Sequence, residues 1–334
     1  MIAGGLGTRL RPLTYTHPKP LIPLLNRPMI LHILDRLPRE VDHIILPVNY
    51  MLDRMREFFH ETDVGRNVNV IEERRPLGTG GALKNLEHIL ESRFLVFNGD
   101  VICSINVNEL LWKHEKSGGI ATIALWEVDD PSTFGAVDIR EKDRIVKFVE
   151  KPKPGEEPSN LINAGVYVFN REVLKYIQKG KKVSIEKEVF PKLIRKGVYG
   201  HRFEGYWADA GTRKNYLRSL KMMLASMGNS INRSVKIEEG AEVQNPVFMG
   251  SGCVVRGVVG PNSSLGKECV IDKSAVIDSA LFDRVEVHKD AIVRGSIVGQ
   301  DADIRKGAIV LNTIIGDRGI VKAGEKVGSA RVRQ

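Results

Sequence analysis

Apolar positions in the first two thirds of the chain recur at alternating helical and strand spacings. Over residues 28–37, Ile30, Ile33, Leu34 and Leu37 fall on one helical face, and 43–48 is a short apolar run of the kind that forms a buried strand. Residues 53–61 read as helix and 67–71 as strand. Residues 81–90 read as helix, with Leu83, Leu86, Ile89 and Leu90 facing inward, and 94–97 as a buried strand. This alternation predicts a mostly parallel sheet covered by helices, with ligands at the carboxyl ends of its strands. A helix over 107–115 and a strand over 120–128 follow. Segments 134–137 and 145–149 form a hairpin across Glu141-Lys142-Asp143-Arg144. Helices are predicted over 182–196 and 213–227, the second ended by Gly228 in a left-handed cap.

From Val235 the period changes to six. Ile237, Val243, Met249 and Val255 make one register, and Val259, Leu265, Ile271 and Ile277 the next. Leu281, Val287 and Val293, then Val298, Ile304 and Val310, then Ile315, Val321 and Val327 complete the series, with slips of a residue or two between sets. No helix has this period, and a β-sandwich would alternate with period two. An aliphatic residue at every sixth position is the hexapeptide signature of a parallel β-helix, in which stacked coils build one continuous core. The chain is therefore expected to be α/β over 1–227, a Rossmann-like mixed-sheet domain, followed by a β-helix over 228–334.

Composition narrows the function classes. Of 334 residues 42% are hydrophobic, no apolar run reaches membrane-spanning length, and the N-terminus lacks the plan of a signal peptide, so a cytoplasmic protein without membrane contact is expected. Cys103, Cys253 and Cys269 are too scattered for a disulfide framework or zinc cluster and read as small buried residues. The net charge of +9 is spread among interleaved acids rather than gathered into a basic block. That pattern favours small phosphorylated ligands over nucleic acid.

Candidate chemistry begins at Gly4-Gly5-Leu6-Gly7-Thr8-Arg9-Leu10, which runs on to Pro18-Lys19-Pro20-Leu21. Glycines let backbone N–H groups approach an anion closely, and two cations follow, so the stretch reads as a polyphosphate cradle. Its spacing is neither a dinucleotide fingerprint nor a Walker loop. Asp100 emerges at the tip of the 94–97 strand, where a carboxylate suits magnesium, which takes one or two carboxylates plus phosphate oxygens. Asp209, in Tyr206-Trp207-Ala208-Asp209-Ala210-Gly211, offers a second carboxylate, and Trp207 is a core anchor.

The opening stretch, with Pro76-Leu77-Gly78-Thr79-Gly80-Gly81, Asn98-Gly99-Asp100, Glu150-Lys151-Pro152, Asn163-Ala164-Gly165 and Ser184 to Pro191, resembles the sugar-1-phosphate nucleotidylyltransferases, the NDP-sugar pyrophosphorylases. Within that family it is most similar to the mannose-1-phosphate guanylyltransferase branch. The resemblance covers nearly the whole chain and implies a left-handed coil for the β-helix. It also implies attack of a hexose-1-phosphate on the α-phosphorus of an NTP, GTP favoured, with glucose-1-phosphate and UTP or dTTP as the alternative pair. A nucleotide-sugar-sensing regulatory subunit is the alternative of another class. Implied roles are Arg9 and Lys19 for catalysis, and Gly4, Gly5, Gly7, Thr8, Arg75, Gly78, Thr79 and Gly80 for the nucleotide. Gly135, Glu150, Lys151 and Asn163 would hold the sugar phosphate, and Asp100 and Asp209 would hold Mg2+.

Two departures from the family pattern stand out. Only Met1-Ile2-Ala3 precede the glycine loop, which implies a short first strand or a start further upstream. Arg74-Arg75 stand where relatives place an acid near the base, and an arginine there suits carbonyl acceptors such as guanine O6. His288 reads as a solvent-facing repeat residue rather than an acyltransferase base, so the β-helix is expected to serve assembly into a homo-oligomer, and effector binding.

Overall fold

The computed structural model describes residues 1 and 5–328. They form two compact units: Met1, Gly5 and Ile33–Trp207 make one, and Leu6–His32 with the chain from Ala208 onward make the other. Residues 6–32 and 208–227 thus group with the coils.

In the first unit, β1 (His43–Val48), α1 (Leu52–Glu61) and β2 (Asn67–Glu72) form a parallel crossover, paired from His43↔Asn67 to Val48↔Glu72. The unit also contains α2 (Gly78–Asn85), β3 (Arg93–Phe97), α3 (Val107–Ser117), β4 (Ala121–Glu127), β5 (Gly135–Ile139), β6 (Ile145–Glu150), β7 (Leu161–Asn170) and β8 (Val198–Arg202). The main sheet runs β8-β4-β7-β5-β6, with β3 also on β7. Among the described residues only β4 and β8 pair parallel in it; β7 is antiparallel to β3, β4 and β5. The sheet is mixed, as expected for the Rossmann-like domain, with less parallel pairing than the alternation over 28–97 suggests. Its organiser is β7, where Ile162, Ala164, Val166, Tyr167, Val168 and Phe169 are wholly buried, as suits a strand covered on both faces.

Two helical expectations need correction. Helix α2 begins at Gly78 and ends at Asn85, leaving Ile89 beyond it and 37% exposed. The helix expected over 182–196 is broken into a π turn (Ile185–Val189), one α turn (Phe190–Leu193) and a 3-10 turn (Ile194–Lys196). Pro191 explains the break, because it has no N–H and its ring would crowd the carbonyl four residues back. A widened turn, closed by Phe190 N–H to Ile185 O, makes room for it.

The expected first strand falls partly on residues 2–4, outside the described residues. The Met1 ammonium donates to Ile45 O at 2.7 Å, and burial pulls its pKa down to about 5. Beside it is a cavity of about 530 Å³ lined by side chains such as Leu37, Leu83, Leu86 and Phe94, and none of the candidate site residues lines it.

In the second unit α4 (Arg213–Met227) is capped by Thr212, whose Oγ1 accepts from Asn215 N. Gly228 ends it at φ 72°, but its ψ of −157° lies outside the left-handed helical well. The chain then winds as a solenoid of three six-stranded parallel sheets, one per face. Equivalent positions lie 18 residues apart in the first coil (Gly252 N to Ser234 Oγ), 16 further on (Lys267 N to Asp283 Oδ1) and 17 later (Ser296 N to Ser279 Oγ). Three hexapeptides shortened at a corner account for the slipping register. Inward positions such as Val255, Val259, Leu265, Ile271, Leu281 and Val293 are 1% exposed or less. Each contributes about 1.5–3 kcal/mol by burial. At two positions the reading shifts: Val276 faces the core and Ile277 lies outside it, and Ile237, in the first coil, is 47% exposed. Cys253 and Cys269 sit inside the solenoid, their Sγ atoms donating to Gly266 O and Phe282 O at 3.0 Å. All three cysteines are buried and free. Among the described residues no helix is long and apolar enough to cross a membrane.

Candidate active site

The two units carry different parts of the candidate chemistry. In the second unit, Gly7 sits at φ 60° and opens the 3-10 turn Thr8–Leu10. A Cβ at Gly7 would meet Thr14 Cγ2 at 2.7 Å and Lys19 Cβ at 3.2 Å, so the loop closes on itself only with glycine there. Thr14 Oγ1 donates to Gly7 O at 3.1 Å and fixes that closure. Lys19 starts a second 3-10 turn, Lys19–Leu21.

These turns bring Arg9, Lys19 and Asp209 to one point. A Cβ built on Gly211 would lie 2.6 Å from Asp209 Oδ1, 3.0 Å from Lys19 Nζ and 3.1 Å from Arg9 Nη2. Asp209 Oδ1 itself accepts from Gly211 N at 2.7 Å. Two cations and a carboxylate therefore crowd a glycine whose missing side chain leaves them space. Such a cluster can neutralise a phosphate chain. Thr8 is exposed in the same loop; Gly5 is described with the first unit, and Gly4 lies outside the described residues.

In the first unit, β5 and β6 pair Gly135 with Glu150, and a Cβ at Gly135 would meet Glu150 Oε2 at 2.9 Å. Lys151 follows with φ 52° and is exposed. Asn163 stabilises a bulge in β7: its Oδ1 accepts from Gly165 N at 2.9 Å and its Nδ2 donates to Tyr167 Oη at 2.8 Å. Trp207 anchors the bulge through Nε1 to Ala164 O at 2.9 Å and stands edge-on to Phe134. Asp100 is in the turn after β3, where Val101 N–H closes onto Asn98 O. Asn98 Oδ1 is a buried acceptor without a donor among the described residues.

Gly78, Thr79 and Gly80 are engaged structurally. Gly78, at φ 71°, packs so closely that a Cβ would lie 2.7 Å from Val183 O, and Gly80 N and Gly81 N both donate to that oxygen. Thr79 Oγ1 donates to Glu186 Oε2 at 2.8 Å and accepts from Ile185 N at 2.9 Å. Arg75 is exposed. Just upstream, Glu73 is buried and caps the turn by accepting from Leu77 N at 3.1 Å, and burial raises its pKa. An acid thus stands near this turn after all, two positions before Arg75.

Glu186 is the residue that sequence reasoning passed over. It projects from the π turn, takes bonds from both Thr79 and Ser184, and affects Glu150 electrostatically. Burial, and after it the Glu186 carboxylate, push the Glu150 pKa up against the opposing pull of Lys151 and Lys187. An acid whose pKa rises on folding contributes stability at low pH that is lost as pH climbs through the folded value. Glu150→Gln is therefore expected to unfold at a higher temperature than the parent at pH 7, an advantage that disappears near pH 4, about the ordinary carboxylate range. Thermal unfolding at the two pH values checks this, and a Gln variant less stable at pH 7 contradicts it.

Residues 1–226 match the family model described as nucleotidyl transferase, and 227–333 match one described as GMPPB C-terminal domain. The chain is 35% identical over 317 residues to mannose-1-phosphate guanylyltransferase 1 of Arabidopsis thaliana, covering 90% of this chain and 85% of that protein. It is 35% identical over 297 residues to mannose-1-phosphate guanylyltransferase of Mycobacterium tuberculosis, covering 85% and 82%. Among solved structures, a putative glucose-1-phosphate thymidylyltransferase from Bacillus anthracis superposes with a TM-score of 0.59 at 27% identity, over 65% of this chain and 91% of that one. HddC from Yersinia pseudotuberculosis, complexed with GMP-PN, superposes with a TM-score of 0.55 at 28% identity, over 65% and 95%.

Proposed function

The chain belongs to the nucleotidyl transferase family, and from that premise we propose that it converts GTP and mannose-1-phosphate to GDP-mannose and pyrophosphate. Support for the substrate pair comes from relatives of that activity that align over most of both chains. The observation that carries the mechanism is the convergence of Arg9, Lys19 and Asp209 on Gly211.

A phosphate oxygen of mannose-1-phosphate forms the new bond to the α-phosphorus of GTP. The bond from that phosphorus to the bridging oxygen breaks, and its electron pair leaves with pyrophosphate. No proton has to move, so the protein's work is alignment and charge neutralisation. Arg9 would face the departing pyrophosphate and Lys19 the α-phosphate, with Gly5, Gly7 and Thr8 around the nucleotide. Thr79 and its flanking glycines, Gly78 and Gly80, form the turn assigned to the base side, with Arg75 beside it. Lys151 would hold the sugar phosphate, while Gly135, Glu150 and Asn163 would face the hexose.

Magnesium suits the donors on offer. Asp100 and Asp209 would each offer hard oxygen donors, and Asn98 Oδ1 is an orphaned acceptor on the turn of Asp100 among the described residues. No group of three or more acidic, histidine or cysteine side chains arranged for a metal occurs among the described residues. Phosphate oxygens and water would complete the shell, as is usual for this ion. Bound with the triphosphate, the ion would supply further neutralisation of the transferring group.

Pyrophosphate release should be measured for each NTP with each hexose-1-phosphate, before and after chelation of divalent ions. GTP with mannose-1-phosphate is expected to be fastest, and chelation to stop it. A faster pair overturns the substrate assignment, and undiminished release after chelation overturns the metal assignment.

A further inference from the structure

The loop that carries Arg9 and Lys19 leans on the solenoid. Pro12 packs against Gly316, where an added Cβ would come within 3.0 Å of Pro12 Cγ. Next to it, Asp317 divides its two oxygens between solenoid and loop. Its Oδ1 accepts from Gln300 N at 2.9 Å, one coil back. Its Oδ2 accepts from Thr16 Oγ1 at 2.6 Å and lies 2.8 Å from His17 Nε2. The side chain is only 12% exposed. Burial alone would raise its pKa, yet the close approach of His17 and the bond from Thr16 prevail and hold the carboxyl below the usual range.

The solenoid contains its own control. Asp283 caps an earlier coil in the same way, its Oδ1 accepting from Lys267 N at 2.7 Å, and it makes none of these loop contacts. Capping a coil thus accounts for one oxygen of Asp317 and leaves the other unexplained. On the loop side the contacts run straight into the candidate site. Thr16 and His17 lie between Thr14, which closes onto Gly7, and Lys19, whose Cβ borders the same glycine.

We propose that Asp317 is a positioning residue: through Thr16 and His17 it holds the loop 7–19 so that Arg9 and Lys19 meet at Gly211, making the solenoid a working part of the nucleotide site. This rests on the reading of Arg9 and Lys19 as nucleotide-facing. A solenoid serving assembly alone would have no need of the second set of bonds. Hydrogen bonds to a charged group are among the stronger ones in a fold, so losing them should be felt in the loop.

The test is steady-state kinetics of the full chain, varying GTP and mannose-1-phosphate in turn. Asp317→Asn is expected to lower kcat/KM for GTP by about tenfold, with the KM for mannose-1-phosphate unchanged, while Asp283→Asn leaves both unchanged. Thr16→Val removes the same bond from the exposed side of the loop, together with the local one from Thr16 Oγ1 to Leu13 O. It should move kcat/KM for GTP in the same direction and add little when combined with Asp317→Asn, because the two share one contact. Equal behaviour of Asp317→Asn and Asp283→Asn, or a loss carried by a raised KM for mannose-1-phosphate, overturns the proposal. Should Asp317→Asn fold poorly, an unchanged kcat/KM for GTP in Thr16→Val overturns it instead. If Lys19→Ala is damaging while Asp317→Asn is silent, the anchor alone fails. If Lys19→Ala is silent too, the nucleotide-facing loop fails and the anchor with it.

Discussion

Lys19→Ala is expected to lower turnover by roughly 10²–10³-fold, the usual consequence of removing one preorganised contact to developing charge. The ammonium lies against Gly211 beside Arg9 and Asp209, and nothing else in that cluster replaces it at the same place. Because the charge it meets grows as pyrophosphate departs, the loss should appear in kcat and in kcat/KM together rather than in KM alone. Lys19→Arg should recover only part, since a planar fork does not occupy the position of a point charge. Circular dichroism and thermal unfolding of the variant should match the parent. Turnover within a few-fold of the parent would remove Lys19 from the mechanism.

Gly211→Ala should fold normally and lose about two orders of magnitude in turnover, the scale expected when catalytic groups are displaced by about 1 Å. Gly211 does not adopt the left-handed backbone that alanine resists, so the backbone accepts the change. The new methyl group would instead meet the ends of Asp209, Lys19 and Arg9, all within 3.1 Å. Two of these are flexible cations that can swing away, which preserves the fold and takes the charges out of register. Full activity in a well-folded Gly211→Ala would mean that this convergence is not the working geometry.

Much of the fold is legible in the sequence because packing imposes a period. Helices and strands before residue 227 follow from face and alternation, and the solenoid from the demand for one inward aliphatic per hexapeptide. Where two aliphatics adjoin, as at Val276 and Ile277, the period cannot choose between them; the shortened corner does. The antiparallel β7 escapes the pattern because a strand buried on both faces shows no alternation. The break at Pro191 is a local clash that a helical tally overlooks.

In the candidate site, residue types are legible and juxtapositions are not. Glycines, two cations and Asp209 announce phosphate chemistry, but only folding brings them to Gly211. Glu186 lies within the Ser184 to Pro191 motif without standing out among its charged neighbours, and its bonds to Thr79 and Ser184 depend on a π turn. Asp317 occupies the same kind of capping position as Asp283, so sequence cannot separate them; the contacts with Thr16 and His17 do.

The most direct measurement is the fate of α-labelled GTP incubated with mannose-1-phosphate and magnesium. The account predicts that the label appears in GDP-mannose in step with unlabelled pyrophosphate, and that Lys19→Ala slows both equally. Label released as GMP or GDP, or retained in GTP while the parent protein is folded, would contradict it.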